Sequence, residues 1–194
     1  MKKRDIPNLL TCLRVVAIPF VVFSYYYAPG TLFPFLMFAL ISTTDFLDGY
    51  FARKWNVTSE LGAFLDPAAD KLLVVSLLLV LSIRENTLAF TVPAMLILLR
   101  ELSMSMLREY LAKTGQSALG AVDKLGKYKT AAQMSAISCC LLPYSLLNEM
   151  GYLFLYLAAV LTIVSFLNYL VKLRKNVLIL SSKYGLNDFQ SQIQ

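Results

Sequence analysis

Histidine is absent from the 194-residue chain, which removes the commonest general base and excludes a histidine-ligated zinc or haem site. Any proton acceptor must then be a carboxylate, lysine, tyrosine or cysteine. Cysteine is scarce as well. Cys12, Cys139 and Cys140 all fall in apolar segments, form no C-x-x-C and have no spacing for a structural bridge, so they read as small apolar packing residues. Charged residues make up only 15% of the chain, well under the ~25% of an ordinary soluble domain. Internal repeats, low-complexity runs and inter-domain linkers are also missing.

What the chain does have is apolar length. Hydrophobic residues are 58% of the sequence and the mean hydropathy is +0.63, too apolar for a water-soluble domain. A first helix opens at Pro7 and Asn8, lies at the interface and then crosses over residues 15–27, with Tyr25, Tyr26 and Tyr27 as an aromatic belt. Further apolar runs cover residues 32–53, 60–83, 87–112, 127–147 and 152–173, each near the ~20 residues a bilayer requires. The expected fold class is an all-α integral membrane protein with six transmembrane helices. Residues 1–175 form one domain, and 176–194 form a polar C-terminal tail, surface-lying or disordered. The basic start before an apolar run superficially resembles a signal peptide, but Arg14 within the run and the lack of a small-residue cleavage site before Pro29 argue that it is retained.

Charge sets the expected orientation. With both termini cytoplasmic, fourteen of the eighteen cations fall on that side and Arg84 alone on the other, while Arg14, Lys71 and Arg100 lie inside helices. The net charge of +6 then needs no nucleic acid, because anionic lipid and phosphate substrates account for it.

Four carboxylates interrupt the apolar pattern. Asp45 and Asp48 are three residues apart and Asp66 and Asp70 four, so on helices each pair projects from one face, about one turn apart. A charge in such surroundings costs several kcal/mol unless it is compensated, on the order of 2.5–3.5 on insertion scales. The polar stretch from Lys54 to Ser59 supplies a turn between the two helices. Gly49 and Gly62 leave room for a ligand or a second backbone, and Arg53 is the cation inside the motif. The set reads as an oxygen-rich cage for hard divalent cations, Mg or Mn, with room for two metals. Asp45 lies ~12 Å before Arg53 along its helix, which puts the cage in the cytoplasmic half of the bilayer.

Other polar residues sit near this cage. Asn8, Thr11 and Arg14 recur at helical spacing on one stripe of the first helix, either snorkelling at the interface or lining a nucleotide site. Arg100, Glu101 and Arg108 share a sector of the fourth helix, while Lys127, Lys129, Thr130 and Gln133 open the fifth. Arg100 with Glu101 reads as a buried pair, and Lys127 with Lys129 as positive-inside anchors. Alternatively, these residues form a basic pocket for a phosphate-bearing acceptor, with Arg108, Lys127 and Lys129 as its cations.

The pattern D-x2-D-G-x2-A-R-x8-G-x3-D-x3-D is complete from Asp45 through Asp48, Gly49, Ala52, Arg53, Gly62 and Asp66 to Asp70, and it closely resembles the signature of the CDP-alcohol phosphotransferase family. The resemblance implies cleavage of a CDP-linked alcohol with release of CMP, and transfer of the remaining phosphate to an acceptor hydroxyl. It implies that Asp45, Asp48, Asp66 and Asp70 bind two divalent cations, that Asp70 is the base, and that Gly49, Ala52, Arg53 and Gly62 shape the CDP site. Asn8, Thr11 and Asp45 join that CDP-diacylglycerol site. The R-E pair, the later arginine and G-K-x-K-T-x-x-Q are similar to members that use CDP-diacylglycerol and sn-glycerol 3-phosphate. Inositol phosphate, serine and phosphatidylglycerol are the other acceptors considered. The resemblance further implies a homodimer among membrane lipids, in the plasma membrane with the site facing the cytoplasm. Outside the family, a cation transporter would also place aspartates within a membrane.

Overall fold

The structure is a computed structural model that describes residues 5–28, 30–55, 60–113 and 124–191, with side chains described over 12–28, 30–44, 68–113 and 126–174. All regular structure among the described residues is helical. The elements are α1 Asp5–Tyr27, α2 Phe33–Trp55, α3 Glu60–Glu85, α4 Leu88–Lys113, α5 Lys124–Leu141 and α6 Ser145–Ser191. Two of them, Leu88–Lys113 and the Ser145–Arg174 part of α6, are long and apolar enough to cross a bilayer, and Cys12–Tyr27 and Phe33–Thr44 are shorter apolar stretches.

Connections follow local chemistry. The α3–α4 turn is confined to Asn86 and Thr87 because Asn86 takes a left-handed conformation, φ 46°, and its N–H caps Ser82 O at 3.1 Å. Thr87 O then accepts the amides of Phe90 and Thr91 at 3.1 and 2.9 Å, starting α4. The α5–α6 boundary differs from the sequence expectation. Helix α5 stops at Leu141 rather than at 147, and α6 starts at Ser145 rather than at 152. Pro143 is the reason, since it lacks an amide hydrogen and disfavours helical geometry at Leu142.

Residues 148–151, expected as a connection, therefore lie inside α6. Gly151 is there for close approach: a Cβ on it would lie 2.4 Å from Cys140 Sγ and 3.3 Å from Ala136 O. Around it, Ala132, Ala136 and Cys140 of α5 and Leu155, Ala158 and Ala159 of α6 are all buried, a small-residue seam of the kind that lets helix backbones meet. Helix α6 continues to Ser191, through most of the segment expected as a tail.

Helix α1 packs on α2 and α3, α6 packs on α4 and α5, and α3 joins the two groups through α4 and α5. The core runs from Ile18, Val21 and Phe38 through Leu73, Leu77 and Leu81 to Ile97, Ile137 and Leu155. Outside, Leu13, Phe20, Leu40, Leu79, Leu99, Met106, Leu153 and Leu167 are exposed, whereas Arg14, Arg100, Lys129 and Gln133 are buried. Apolar residues outside with cations inside invert the usual distribution of a water-soluble protein.

One end of the bundle is closed by polar and aromatic contacts. Arg84 stacks 5.1 Å from the centroid of the Tyr25 ring, and Tyr152 Oη donates to Glu85 Oε2 at 2.7 Å. This corrects the aromatic belt, because Tyr25 is 5% exposed and faces inward while Tyr26 and Tyr27 alone face outward. The inward turn places Tyr25 on the stripe with Arg14, Ile18 and Val21, all buried at helical spacing.

Candidate active site

A cavity of about 720 Å³ opens between the helices, and all six contribute to its lining. The buried stripe of α1 brings Arg14 to it, and the Leu73–Leu77 face of α3 brings Asp70 and Lys71. Helix α4 contributes Arg100, Glu101 and Arg108; α5 contributes Lys127, Lys129 and Gln133; α6 contributes Ser165, Tyr169 and Lys172. Among the described residues, seven cations thus line the cavity against two carboxylates, Asp70 and Glu101. This surplus favours anions.

The charged groups are organised by two carboxylates. Arg14 Nη1 donates to Asp70 Oδ1 at 3.1 Å, joining residues 56 positions apart, with the guanidinium buried and 45% of the Asp70 side chain exposed. Glu101 Oε1 accepts from Lys129 Nζ and, at 3.4 Å, from Arg100 Nη1. Arg100 Nη2 reaches Ser165 Oγ on α6 at 3.1 Å. Lys71 Nζ donates to Ser105 Oγ at 2.6 Å, and that hydroxyl donates to Glu101 O at 2.8 Å. Buried charges need such partners.

The structure therefore brings Asp70, Arg108, Lys127 and Lys129 to one cavity from α3, α4 and α5. Their situations differ. Lys129 is 4% exposed and committed to Glu101, Lys127 is exposed, and Arg108 is half-buried with its Nε buried and without a hydrogen-bond partner. Arg100 and Glu101 form the buried pair that the sequence suggested, with Lys129 as an additional member. Asn8 and Thr11 lie in α1, Asp45, Asp48, Gly49, Ala52 and Arg53 in α2, and Gly62 and Asp66 in α3; their side chains lie outside the described residues. Among the described residues no cluster of three or more acidic or cysteine side chains is present, and three of the four motif aspartates lie beyond that set.

Sequence reasoning missed Lys71, Ser105, Ser165, Tyr169 and Lys172 as residues of the site. A signal was present on α6: Thr162, Ser165, Tyr169 and Lys172 recur at intervals of three and four in the largely apolar stretch 152–173, the mark of one polar stripe. Ser105 and Lys71 carry no comparable pattern.

A helical protein with an apolar exterior and a cavity whose described lining is rich in cations is of the class that receives anionic substrates. Residues 4–164 match the model of the CDP-alcohol phosphatidyltransferase family, and the chain belongs to that family. It is 44% identical over 172 residues to a CDP-diacylglycerol–glycerol-3-phosphate 3-phosphatidyltransferase of Haemophilus influenzae, covering 87% of this chain and 92% of that protein. It is 40% identical over 178 residues to the proteins of the same name from Escherichia coli K12 and Shigella flexneri, covering 90% of this chain and 97% of each relative.

Proposed function

We propose that the chain transfers the phosphatidyl group of CDP-diacylglycerol to sn-glycerol 3-phosphate, releasing CMP and forming phosphatidylglycerophosphate. The reading is carried by relatives of that name at 40–44% identity over about nine-tenths of the chain, together with a cavity in which an acidic residue faces a surplus of cations. A cation transporter built on inverted repeats is disfavoured because the sequence has no internal repeat.

The donor atoms suit a hard divalent cation. All four are carboxylates, Asp70 opens on the cavity, and the hydroxyls of Thr43 and Thr44, just before Asp45, bond back to Ala39 O and Leu40 O of their own helix at 2.7 Å. Asp45, Asp48, Asp66 and Asp70 would hold two such ions, Mg or Mn, which supply charge neutralisation at the pyrophosphate. In the protein's own share of the reaction, Asp70 accepts the proton of the acceptor hydroxyl. The freed oxygen forms a bond to the phosphorus that carries diacylglycerol, and the bond from that phosphorus to the CMP oxygen breaks. Arg14 holds the Asp70 carboxylate by its ion pair. Asn8, Thr11, Gly49, Ala52, Arg53 and Gly62 form the CDP-diacylglycerol site, and Arg108, Lys127 and Lys129 receive the acceptor phosphate.

Six spans with both termini cytoplasmic place this site at the cytoplasmic face of the plasma membrane, where a lipid nucleotide and a soluble phosphate ester can meet. The charge asymmetry of the sequence supports that orientation, and the apolar exterior supports the membrane location. A homodimer is part of the reading on family resemblance. The decisive assay is CMP release by purified protein from CDP-diacylglycerol with a panel of acceptors. Release that depends on glycerol 3-phosphate and stops in excess EDTA is expected. A preference for serine, inositol phosphate or phosphatidylglycerol would overturn the acceptor assignment.

A further inference from the structure

A second cavity, of about 220 Å³, opens at the other end of the bundle, and its walls include Tyr25, Arg84, Glu85, Tyr144 and Asn148. It is well separated from the candidate active site. Tyr25 follows Arg14 by 11 residues on α1, Arg84 follows Asp70 by 14 on α3, and Asn148 precedes Ser165 by 17 on α6. At 1.5 Å per residue the two cavities therefore stand roughly 16–26 Å apart along the helices. Contacts between helices hold its polar groups together. Arg84 lies 5.1 Å from the centroid of the Tyr25 ring, joining α3 to α1, and Tyr152 Oη donates to Glu85 Oε2 at 2.7 Å, joining α6 to α3. Asn148 precedes Tyr152 by one turn of α6, on the same face.

Two groups in this cavity have unused capacity. Asn148 Oδ1 is buried and has no hydrogen-bond partner, and a buried acceptor in a cavity wall calls for a donor that enters it. Arg84 takes no part in the ion pairs of the described residues, which join Arg14 to Asp70, Arg100 and Lys129 to Glu101, and Lys113 to Glu109. Its guanidinium suits an oxyanion, phosphate above all. Glu85 balances that charge, so the pocket as a whole is neutral and favours a ligand that carries both signs. The position selects a lipid. Tyr26, Ile83 and Leu146, next in sequence to lining residues or within one turn of them, are 71, 77 and 70% exposed, an apolar collar at the level of the head groups along which acyl chains can lie. A cavity of this size is smaller than the pockets that enclose whole drug-sized ligands, as expected if only a head group enters. We propose that this cavity binds a phospholipid whose head group joins a phosphate to a primary ammonium, with the phosphate on Arg84 and the ammonium between Asn148 Oδ1 and Glu85. A trimethylated ammonium has no N–H for Asn148, and that is the basis of selection. This lipid is neither substrate nor product of the proposed transfer, and the site does not depend on that reaction. By bridging α1, α3 and α6 it stabilises the end of the bundle.

The test is thermal unfolding of the full-length protein in detergent, titrated with phosphatidylethanolamine or phosphatidylcholine of identical acyl chains. Phosphatidylethanolamine should raise the melting temperature saturably, with an apparent dissociation constant at least about 10-fold lower than that of phosphatidylcholine. Asn148→Leu, which removes the acceptor at similar volume, and Arg84→Gln should each raise the constant for phosphatidylethanolamine by roughly 10-fold or more, as for loss of one hydrogen bond to a charged group. Water-soluble phosphoethanolamine, the same head group without chains, should bind more weakly than the lipid by a similar factor. Equal stabilisation by the two lipids would overturn the proposal, and this comparison needs only the wild-type protein, whatever the folding of the variants. So would an unchanged response to phosphatidylethanolamine in both variants. Phosphoethanolamine that binds as tightly as the lipid would make the occupant a soluble molecule. Stabilisation by phosphatidylglycerol that disappears in Arg84→Gln would mark a site for anions, and either result would also overturn the assignment.

Discussion

At the scale of single residues, the site is a problem of compensating buried charge, and two carboxylates solve it. Glu101 serves Lys129 and Arg100 together. Glu101→Gln keeps the shape but leaves two largely buried cations without a counter-charge, and breaking a buried pair in this way costs about 3–5 kcal/mol. A marked drop in the detergent melting temperature is expected, and an unchanged melting curve would show that water reaches these cations. Asp70 plays another part. Asp70→Asn removes proton acceptance but little volume, so CDP-diacylglycerol should still bind while turnover falls by about 100-fold or more. Loss of nucleotide-lipid binding without a rate defect at saturation would make Asp70 a ligand only. On the proposed two-metal reading, Asp45→Asn or Asp66→Asn should abolish turnover in folded protein, measured as CMP release, because each would remove an anionic metal ligand. Full activity in either variant would sink the two-metal reading.

At the scale of elements, the α5–α6 seam shows why a glycine sits within a helix. Gly151 costs α6 about 1 kcal/mol in helix propensity against alanine, yet a methyl group there would collide with Cys140 Sγ at 2.4 Å. Gly151→Ala is therefore expected to destabilise the protein, against the propensity scale, and a bulkier Gly151→Leu more so. Cys140→Ala should relieve much of the Gly151→Ala effect, because it removes the sulfur and leaves contacts of 3.2 and 3.3 Å with backbone atoms. A double-mutant cycle on melting temperature measures this coupling. Additive losses would place the strain in the α5 backbone instead. The seam bears on the site because α5 carries Lys129 and α6 carries Ser165 and Tyr169; a shift between the two helices misplaces both walls of the cavity.

At the scale of the whole molecule, the exterior is matched to hydrocarbon and the interior to phosphate. This arrangement predicts a topology that labelling can check. With native cysteines replaced, a cysteine introduced at Asn86, between α3 and α4, should react with a membrane-impermeant maleimide in intact cells. One introduced at Lys113, the exposed last residue of α4, should react only after the membrane is opened. Reaction at both positions in intact cells would overturn the assignment of both termini to the cytoplasm.

The sequence alone determined what the helices are made of, and from that the helix count and the family. Apolar runs of nearly bilayer length set six helices in order, and the aspartate signature named the chemistry, because both are local patterns with fixed spacing. Residues whose role depends on distant partners were not legible. Nothing local says that Arg14 meets Asp70 across 56 positions, that Lys129 is held by Glu101, or that Tyr25 turns inward under Arg84. The interruption at Pro143 was readable in principle, but an apolar run hides a helix boundary when the residues on both sides are equally hydrophobic. Only the tertiary structure decided which charges are committed to one another and which donors, at Arg108 and Tyr169, are left to face the cavity. The physical reason is that burial and pairing belong to contacts between helices, and helix packing is a property of the assembled bundle.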